Sequence, residues 1–361
     1  MSMRSIVAAL VLLLPMAVRA AADPGSLKAA AGFKVWLYTD QVPNARELAL
    51  GDRGTVFVGS REAGKVYAVT DGGKRVRVIA SGLQMPVGVA FHNGDLYLSA
   101  VSRILRLPNI EAQLDHPPAP QVLTDRLPDA THHGWRFIAF GPDGKLYVPI
   151  GAPCNVCDKP GYAKLIRMNA DGSDWQDVAY GIRNTVGFDW QPTTGKLWFT
   201  DNGRDMLGDD LPSDELNRVD HAGQHFGFPY CHQGDTPDPD FGVGHPCAAY
   251  TPPVFKLGAH VAAIGMRFYE GAMFPRYRGA VFIAEHGSWN RSQKVGYRVV
   301  AVRLDGDGKP LGQDVILDGF LGKTLGMTTV RGRPADVQPL PDGSLLVSDD
   351  QGGAIYRLSA R

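Results

Sequence analysis

The sequence lacks the features that mark non-globular chains. Glycine and proline number 43 and 26 of 361 residues, a share below the roughly 25–30% typical of low-complexity chains. Neither a Gly-X-Y triplet repeat nor an apolar heptad repeat runs through it, which excludes collagen and coiled coils. Because 44% of the residues are hydrophobic, the chain can build a sizeable core and is not disordered.

Neither positive nor negative charge is in excess. Lysine plus arginine and aspartate plus glutamate each number 37, and the basic residues are dispersed rather than grouped in blocks. The sequence gives no broad electrostatic reason to bind nucleic acid or an acidic membrane. We therefore expect a small-molecule or protein partner and no nucleic acid.

The apolar run near the N-terminus is too short to span a bilayer. It extends over the thirteen residues from Ile6 to Val18, whereas a spanning helix needs about 20. The alanines at 20–22 supply the small residues of a cleavage site. We predict a signal peptide over residues 1–22 and a single periplasmic or secreted domain over 23–361, with no membrane span after cleavage. An uncleaved anchor is the alternative, which Pro15 disfavours.

Cysteine is scarce. Cys154 and Cys157 form a single CxxC pair, whereas Cys231 and Cys247 lie in a loop rich in glycine and proline. In an oxidising compartment this predicts two local disulfides, Cys154–Cys157 and Cys231–Cys247. A four-cysteine zinc site is the alternative, but a second CxxC pair is missing. Because Asp158 follows Cys157, the chain has no CxxCH haem motif, and a cytochrome partner would be a separate chain.

A sixfold repeat is the most informative pattern in the sequence. Each copy is a short apolar segment, a glycine turn and an alternating apolar and aromatic segment, which is typical of a β-hairpin. The copies cover residues 48–58, 89–98, 138–148, 188–199, 268–283 and 337–347. Most are followed by a third strand, so the sequence predicts an all-β, six-bladed β-propeller with long inter-blade loops on one face. A β-sandwich or a pair of barrels is the alternative. Neither explains why the hairpin recurs six times with the inserts at the same position of each repeat.

The loops between repeats carry residues suited to chemistry. His132 and His133 precede the third repeat, where an imidazole can act as a general base near neutral pH. Arg183 occupies the same place before the fourth repeat and is suited to hold a carboxylate or an oxyanion. Each of these residues, taken alone, has an ordinary structural explanation as a hydrogen-bonded loop histidine or a salt-bridged arginine.

The loop after the fourth repeat is acidic. Six carboxylates lie between Asp201 and Glu215, interleaved with glycine, asparagine and serine. Such hard oxygen ligands suit calcium, although the spacing is not that of an EF-hand. A solvated acidic loop is the alternative.

The order of these motifs resembles the soluble quinoprotein sugar dehydrogenases, and within them it is most similar to the L-sorbosone dehydrogenase-like branch. The likeness covers Arg46 to Leu358 and rests on His-x-Gly-x-Arg, Gly-x-Arg-Asn, Asn-Gly-Arg…Asp-Glu-Leu-Asn, Gly-x-x-Phe-Gly-Phe-Pro and Gly-Arg…Asp-Val. It implies a six-bladed propeller that holds pyrroloquinoline quinone (PQQ) and calcium over its channel. It also implies a sugar or sugar-derived aldehyde as substrate and a separate electron acceptor, a cytochrome or a quinone.

The resemblance also implies catalytic roles. His132 or His133 would take the substrate hydroxyl proton as hydride moves to the quinone. Counting from Arg136 favours His132, whereas counting back from the Gly-Pro-Asp-Gly turn favours His133. Arg183 would stabilise negative charge on the quinone oxygens, with Asn184 beside it.

The remaining implied roles concern the cofactor and the metal. Arg333 matches a residue that holds a cofactor carboxylate. The metal would be held by the main chain of Gly203 and Arg204, the latter also touching the cofactor, and by the acidic loop. The acidic-loop ligands predicted are Asp209, Asp214 and Glu215.

Two positions depart from the family's pattern. Ala335 stands where glucose-oxidising members carry a second basic residue, and a lysine expected on the fifth blade is absent. Asn290 or Arg291 would substitute for that lysine. Two other classes remain open: a calcium-dependent lactonase propeller, and a propeller that binds a protein or glycan without catalysis.

Overall fold

The structure, a computed structural model, describes residues 20–324 and 326–360. Most of the predicted signal peptide therefore lies outside the described residues. Within the described ranges no helix is long and apolar enough to cross a membrane. The helical segments there are short 3-10 turns: Pro24–Ser26, Asp71–Gly73, Ile110–Ala112, Cys247–Ala249 and Pro275–Tyr277.

Six antiparallel sheets follow one another along the chain, and the predicted six-bladed propeller is confirmed. The strands of blade one are Ala45–Leu50, Val56–Ser60, Val66–Thr70 and Arg75–Ala80. Those of blade two are Val89–His92, Asp95–Ser99, Ile104–Leu107 and Gln121–Thr124. Those of blade three are Ala139–Phe140, Leu146–Ile150, Lys164–Met168 and Gln176–Tyr180, with Gln224–His225 added in parallel at its edge.

Blades four to six continue the pattern. The strands of blade four are Phe188–Trp190, Leu197–Asp201, Ser213–Arg218 and Phe255–Ala259. Those of blade five are Ala263–Phe268, Val281–Glu285, Arg298–Leu304 and Pro310–Asp318, with Lys28–Ala29 at the edge. Those of blade six are Pro334–Pro339, Leu345–Asp349, Ala354–Ala360 and Phe33–Thr39. Each predicted hairpin forms the first two strands of one blade.

An N-terminal strand closes the ring. Phe33–Thr39 pairs antiparallel with Ala354–Ala360, so blade six contains the two ends of the domain. The first strands of neighbouring blades contact one another, as 45–50 contacts both 89–92 and 334–339. These first strands therefore surround the central axis.

Apolar side chains between the blades form the core. Phe57 from blade one packs with Leu96 and Leu98 from blade two, and Trp198 from blade four packs with Val281 from blade five. Full burial of such a side chain contributes about 1.5–3 kcal/mol. The core thus lies between sheets and leaves the polar residues at the strand ends free to line the channel.

Two small hairpins and both predicted disulfides stabilise the loops. The hairpins pair Cys231–His232 with Thr236–Pro237 and Leu321–Thr324 with Met327–Val330. The predicted bonds Cys154–Cys157 and Cys231–Cys247 are both present, and they use all four cysteines of the chain. The alternative of a four-cysteine zinc site is therefore excluded.

Candidate active site

A cavity of about 330 Å³ lies at one end of the channel. Its walls come from residues at the start of the first strands and from the loops after the second strands, so several blades contribute. Four arginines line it against two aspartates: Arg46, Arg61, Arg183 and Arg333 against Asp205 and Asp214. Arg46, Arg61 and Arg183 each lie 2.9–3.0 Å from a carboxylate, that of Asp350, Glu62 and Asp205. The wall thus carries more arginines than aspartates, and their remaining N–H groups are suited to contact an anionic ligand.

The two histidines predicted as bases both line this cavity. His133 is buried, and its Nδ1 lies 2.8 Å from the carbonyl oxygen of Ala152. Because a carbonyl can only accept, Nδ1 must carry the proton, which leaves Nε2 as an acceptor. That Nε2 has no hydrogen-bond partner among the described residues. His132 is exposed, and its ring centroid is 4.1 Å from that of His133.

Burial and neighbouring charge keep His133 in its basic form. Burial, followed by the positive charges of Arg183 and His132, holds the pKa of His133 well below its ordinary value. Burial and Arg183 also lower the pKa of His132. At neutral pH the His133 imidazole is therefore neutral and able to accept a proton.

A short disulfide-bridged loop holds Arg183 in place. The guanidinium donates Nε to the Asn155 carbonyl at 2.8 Å and Nη2 to Asn155 Oδ1 and Asp205 Oδ2, each at 2.9 Å. Nη1 donates to the carbonyl of Asn202 at 3.2 Å. These four bonds leave one Nη1 hydrogen for a ligand. Asn155 lies inside the Cys154–Cys157 disulfide, so this bond restrains the loop that carries it.

Buried carboxylates fix the backbone around Arg183. Asp201 accepts from the backbone amides of Arg183 and Asn184 at 2.9 and 2.6 Å. Asp214 accepts from Gly203 at 2.9 Å and from Ala262 at 2.6 Å. Burial raises the pKa of Asp201 to about 7 and that of Asp214 to about 6.

A second buried network lies on the opposite side of the ring, between blades one, five and six. His286 Nε2 is 2.9 Å from Asp350 Oδ1, and Arg46 Nε is 2.9 Å from Asp350 Oδ2 at an angle outside that of a hydrogen bond. Burial is the main cause that lowers the pKa of His286 to about 3; the Asp350 carboxylate opposes this shift, and the charges of Arg333 and Arg46 add to it. Burial raises the pKa of Asp350, but the charges around it prevail and hold that pKa below its ordinary value.

Two further predicted cofactor residues line the cavity. Arg333 donates Nε to the His286 carbonyl at 3.0 Å and Nη2 to the Gly287 carbonyl at 2.5 Å, which leaves Nη1 available. Asn290 also faces this space, and its Nδ2 is buried without a hydrogen-bond partner among the described residues. An orphaned buried donor is costly unless a ligand satisfies it.

Other predicted residues lie away from the cavity wall. Arg204 pairs with Asp238 at 2.5 Å. Arg291 donates to the Asp209 carbonyl and pairs with Asp210, while the Asp209 carboxylate binds Ser292. Glu215 accepts from the Gln233 amide at 2.7 Å behind the cavity.

The described residues contain no cluster of three or more histidine, cysteine or carboxylate side chains arranged to hold a metal. Asp214 is already occupied by backbone amides, and Glu215 accepts from Gln233 and Asn217. The main-chain carbonyls of Gly203 and Arg204, in contrast, take part in no hydrogen bond with described residues. Those two carbonyls are thus free to act as oxygen ligands.

Sequence reasoning missed several residues of this site. Arg46, Arg61 and Asp350 were not assigned roles, nor was Asn155. Arg46 stands at the start of the first strand of blade one, and Arg183 and Arg333 lie just before the first strands of blades four and six. Because the three arginines occupy similar positions in the repeat, the repeat could have identified Arg46 from the sequence. Asp350 and Asn155 offered no such signal because their contacts come from distant parts of the chain.

The fold and the cavity define a six-bladed propeller with an arginine-lined cavity over its channel. The profile of the TrAA12-like family matches residues 163–361. An uncharacterised protein of Borreliella burgdorferi is 34% identical over 349 residues, covering 92% of this chain and 90% of that protein. The chain therefore belongs to the TrAA12-like family.

More distant relatives carry named activities. The aldose sugar dehydrogenase YliI of Escherichia coli is 26% identical over 261 residues, covering 65% of this chain and 62% of that protein. The holo pyranose dehydrogenase PQQ domain of Coprinopsis cinerea superposes with a TM-score of 0.77 at 18% identity, covering 92% and 97% of the two chains. The resemblance to soluble quinoprotein sugar dehydrogenases is confirmed, whereas the likeness to the L-sorbosone branch stays a prediction.

Proposed function

We propose that the protein is a PQQ- and calcium-dependent dehydrogenase that oxidises a sugar or a sugar-derived aldehyde. The observation that carries this proposal is the cavity itself, which joins four arginines, a neutral buried histidine and an unsatisfied amide at the channel mouth. A flat tricarboxylate such as PQQ needs several cations around its rim. The activities of the sugar dehydrogenase relatives support the same conclusion.

The residues present fit PQQ despite the two departures from the family's pattern. Ala335 is packed in the hydrophobic core between blades five and six and does not line the cavity. Arg46 and Arg61 from blade one supply positive charge instead, and their Nη groups make no hydrogen bond with described residues. Arg61 stacks over the Trp135 ring at 4.6 Å. Arg333 and Asn290 add donors from blades six and five.

The protein's own groups then perform the proton chemistry. PQQ, when bound, supplies an electrophilic quinone that accepts hydride from the sugar carbon. His133 Nε2 takes the proton of the substrate hydroxyl, since its Nδ1 is fixed on Ala152. Arg183 offers its remaining Nη1 hydrogen to oxygen that gains negative charge. The carbonyls of Gly203 and Arg204 are the ligands proposed for calcium.

The two disulfides support a location in an oxidising compartment. We infer export by the predicted signal peptide to the periplasm or the outside of the cell. Electrons would pass to a separate acceptor, a cytochrome or a quinone.

Titration of metal-stripped protein with PQQ, with and without calcium, tests the proposal. We expect stoichiometric, calcium-dependent binding and dye reduction with aldoses or sorbosone. Arg333→Met should weaken PQQ binding about 10- to 100-fold, because a hydrogen bond to a charged group contributes about 1.5–3 kcal/mol. Arg276→Met, at an exposed arginine, is the matched control. The absence of PQQ binding at micromolar concentration contradicts the proposal.

A further inference from the structure

One carboxylate oxygen at the end of the second strand of blade six lacks a partner. Asp349 is fully buried, and burial is the main cause that raises its pKa to about 6. Its Oδ1 accepts from three backbone amides at 2.8–3.1 Å, those of Arg333, Gln351 and Gly352. Its Oδ2 is also buried but has no hydrogen-bond partner among the described residues. Such an oxygen is costly, so a donor is expected beside it.

The N-terminal segment passes close to this oxygen. Two glycines flank it, because a Cβ atom on Gly332 would clash with Asp349 Oδ2 and one on Gly352 would lie 2.5 Å from it. The same point beside Gly352 is 3.2 Å from the Cα atom of Ala21. The Ala21 Cα is therefore at most about 5.7 Å from Oδ2, the sum of these two distances. The backbone nitrogen of Ala21, about 1.5 Å from its Cα, is the nearest group of this segment that can carry a charge.

The residue after Ala21 belongs to the core of the domain. Ala22 is only 5% exposed and lies in the same hydrophobic cluster as Leu27 and Phe33. Its carbonyl accepts from the buried hydroxyl of Tyr356 at 3.1 Å. Removal of Ala22 would leave this hydroxyl buried without an acceptor, which is costly. The folded domain therefore favours a mature chain that keeps Ala22, although the alanine cluster also permits cleavage after it.

The sequence offers a cleavage site two residues earlier. Val18 and Ala20 stand third and first before the Ala20–Ala21 bond, a spacing of small apolar residues that suits a signal peptidase. In the structure Ala20 is exposed and Ala21 is half-buried. Hydrolysis of this bond consumes one water molecule and yields the carboxylate of Ala20 and the amine of Ala21. That amine is mostly protonated at neutral pH.

We propose that the signal peptide is cleaved between Ala20 and Ala21 and that the new α-ammonium group of Ala21 pairs with Asp349 Oδ2. The ammonium supplies the donor and the positive charge that the buried carboxylate lacks. In the uncleaved chain the same nitrogen is an uncharged amide. Because Asp349 Oδ1 holds the amide of Arg333, the ion pair also fixes the backbone of an arginine of the cavity. The inference rests on the export proposed above and not on the reaction.

The first residue of the exported protein tests the cleavage position. The full chain would be expressed with its own signal peptide in a bacterial host, and the exported protein would be examined by intact mass and N-terminal sequencing. We expect a chain that begins at Ala21. Any other first residue, such as Asp23, or a retained signal peptide would overturn the inference.

Blocking the amine tests the ion pair. Chains beginning at Ala21 would be compared by calorimetry with the α-amine free and acetylated. Acetylation should lower the Tm of the wild type by roughly 3–6 °C, because it removes one partner of a buried ion pair, and should leave the Tm of Asp349→Asn unchanged. Asp23→Asn, at an exposed carboxylate near the same terminus, is the matched control and should respond as the wild type does. Equal shifts in the wild type and in Asp349→Asn would overturn the ion pair.

A further measurement needs no substitution at Asp349. The α-amine of the chain that begins at Ala21 should react with phenyl isothiocyanate at least tenfold more slowly than that of a chain carrying one extra N-terminal glycine. The reason is that only the first amine is positioned to pair with the buried carboxylate. Equal rates would overturn the proposal. These experiments are done without PQQ or sugar, so their outcome is distinct from that of the proposed dehydrogenase.

Discussion

The loop bridged by Cys154–Cys157 offers the sharpest test of how Arg183 is positioned. Asn155→Ala removes Oδ1, which accepts from Arg183 Nη2 at 2.9 Å and from the Asp205 amide at 2.8 Å. It also removes the donor that Nδ2 supplies to the Asp205 carbonyl at 3.1 Å. Arg183 is only 4% exposed, so water does not fully replace these bonds.

The magnitude follows from the bonds lost. A bond to a charged group contributes about 1.5–3 kcal/mol and a neutral one about 0.5–1.5 kcal/mol. Part of the neutral contribution is recovered from solvent, because the Asp205 side chain is 20% exposed. We expect a loss of about 2–4 kcal/mol. With an unfolding entropy of about 2.1 cal/mol/K per residue, this corresponds to a fall in Tm of roughly 3–6 °C for a domain of this size.

Calorimetry and PQQ titration check the result together. The fall in Tm should be accompanied by weaker PQQ binding, because Arg183 loses its fixed orientation. Asn169→Ala is the control, since the Asn169 amide also bonds two other residues, here the side chains of Lys145 and Ser173, but nearer the surface. Equal effects of Asn155→Ala and Asn169→Ala on Tm and on PQQ affinity would refute the reasoning.

The other predictions concern titratable groups around the cavity. His133→Gln should abolish turnover, whereas His132→Gln should retain it. Because His132→Gln removes a charge that lowers the pKa of His133, the acid limb of the kcat/KM profile should move to higher pH. The reverse pattern in pH–rate profiles would identify His132 as the base. Asp350→Asn should cost about 3–5 kcal/mol in denaturant unfolding, since it leaves Arg46 buried without its counterion; a loss below 1 kcal/mol would contradict this. Below pH 6.5, His286 is protonated in the unfolded chain but not in the folded chain. The free energy of unfolding of the wild type, relative to that of His286→Gln, should therefore fall by about 1.4 kcal/mol per pH unit as pH falls towards 3. A pH-independent difference would exclude this linkage.

The repeat made the fold predictable from the sequence. A hairpin signal depends on residues within about ten positions, so turns such as Gly144 and Gly343 could be recognised individually. The cysteine pairs were predictable for the same reason. The closing strand at 33–39 was not, because its partner at 354–360 lies at the other end of the chain.

The candidate site was predictable only in part. His133, Arg183 and Arg333 precede first strands, so their phase in the repeat placed them at the channel. The sequence did not predict that the Arg204 side chain lies away from the cavity, because its position depends on an ion pair with Asp238 in the long insertion. The roles of the buried carboxylates were also missed, because acidity in a loop does not show whether oxygens face a metal or backbone amides.

Closure of blade six by the N-terminal strand has a consequence for how the chain acquires its structure. Residues 33–39 are synthesised before blades one to five are complete, yet their partner strand 354–360 is synthesised after them. The ring therefore cannot close until the whole chain is available, and pairing across such a sequence separation slows folding. A chain that stays open in this way is suited to passage through an export channel before folding.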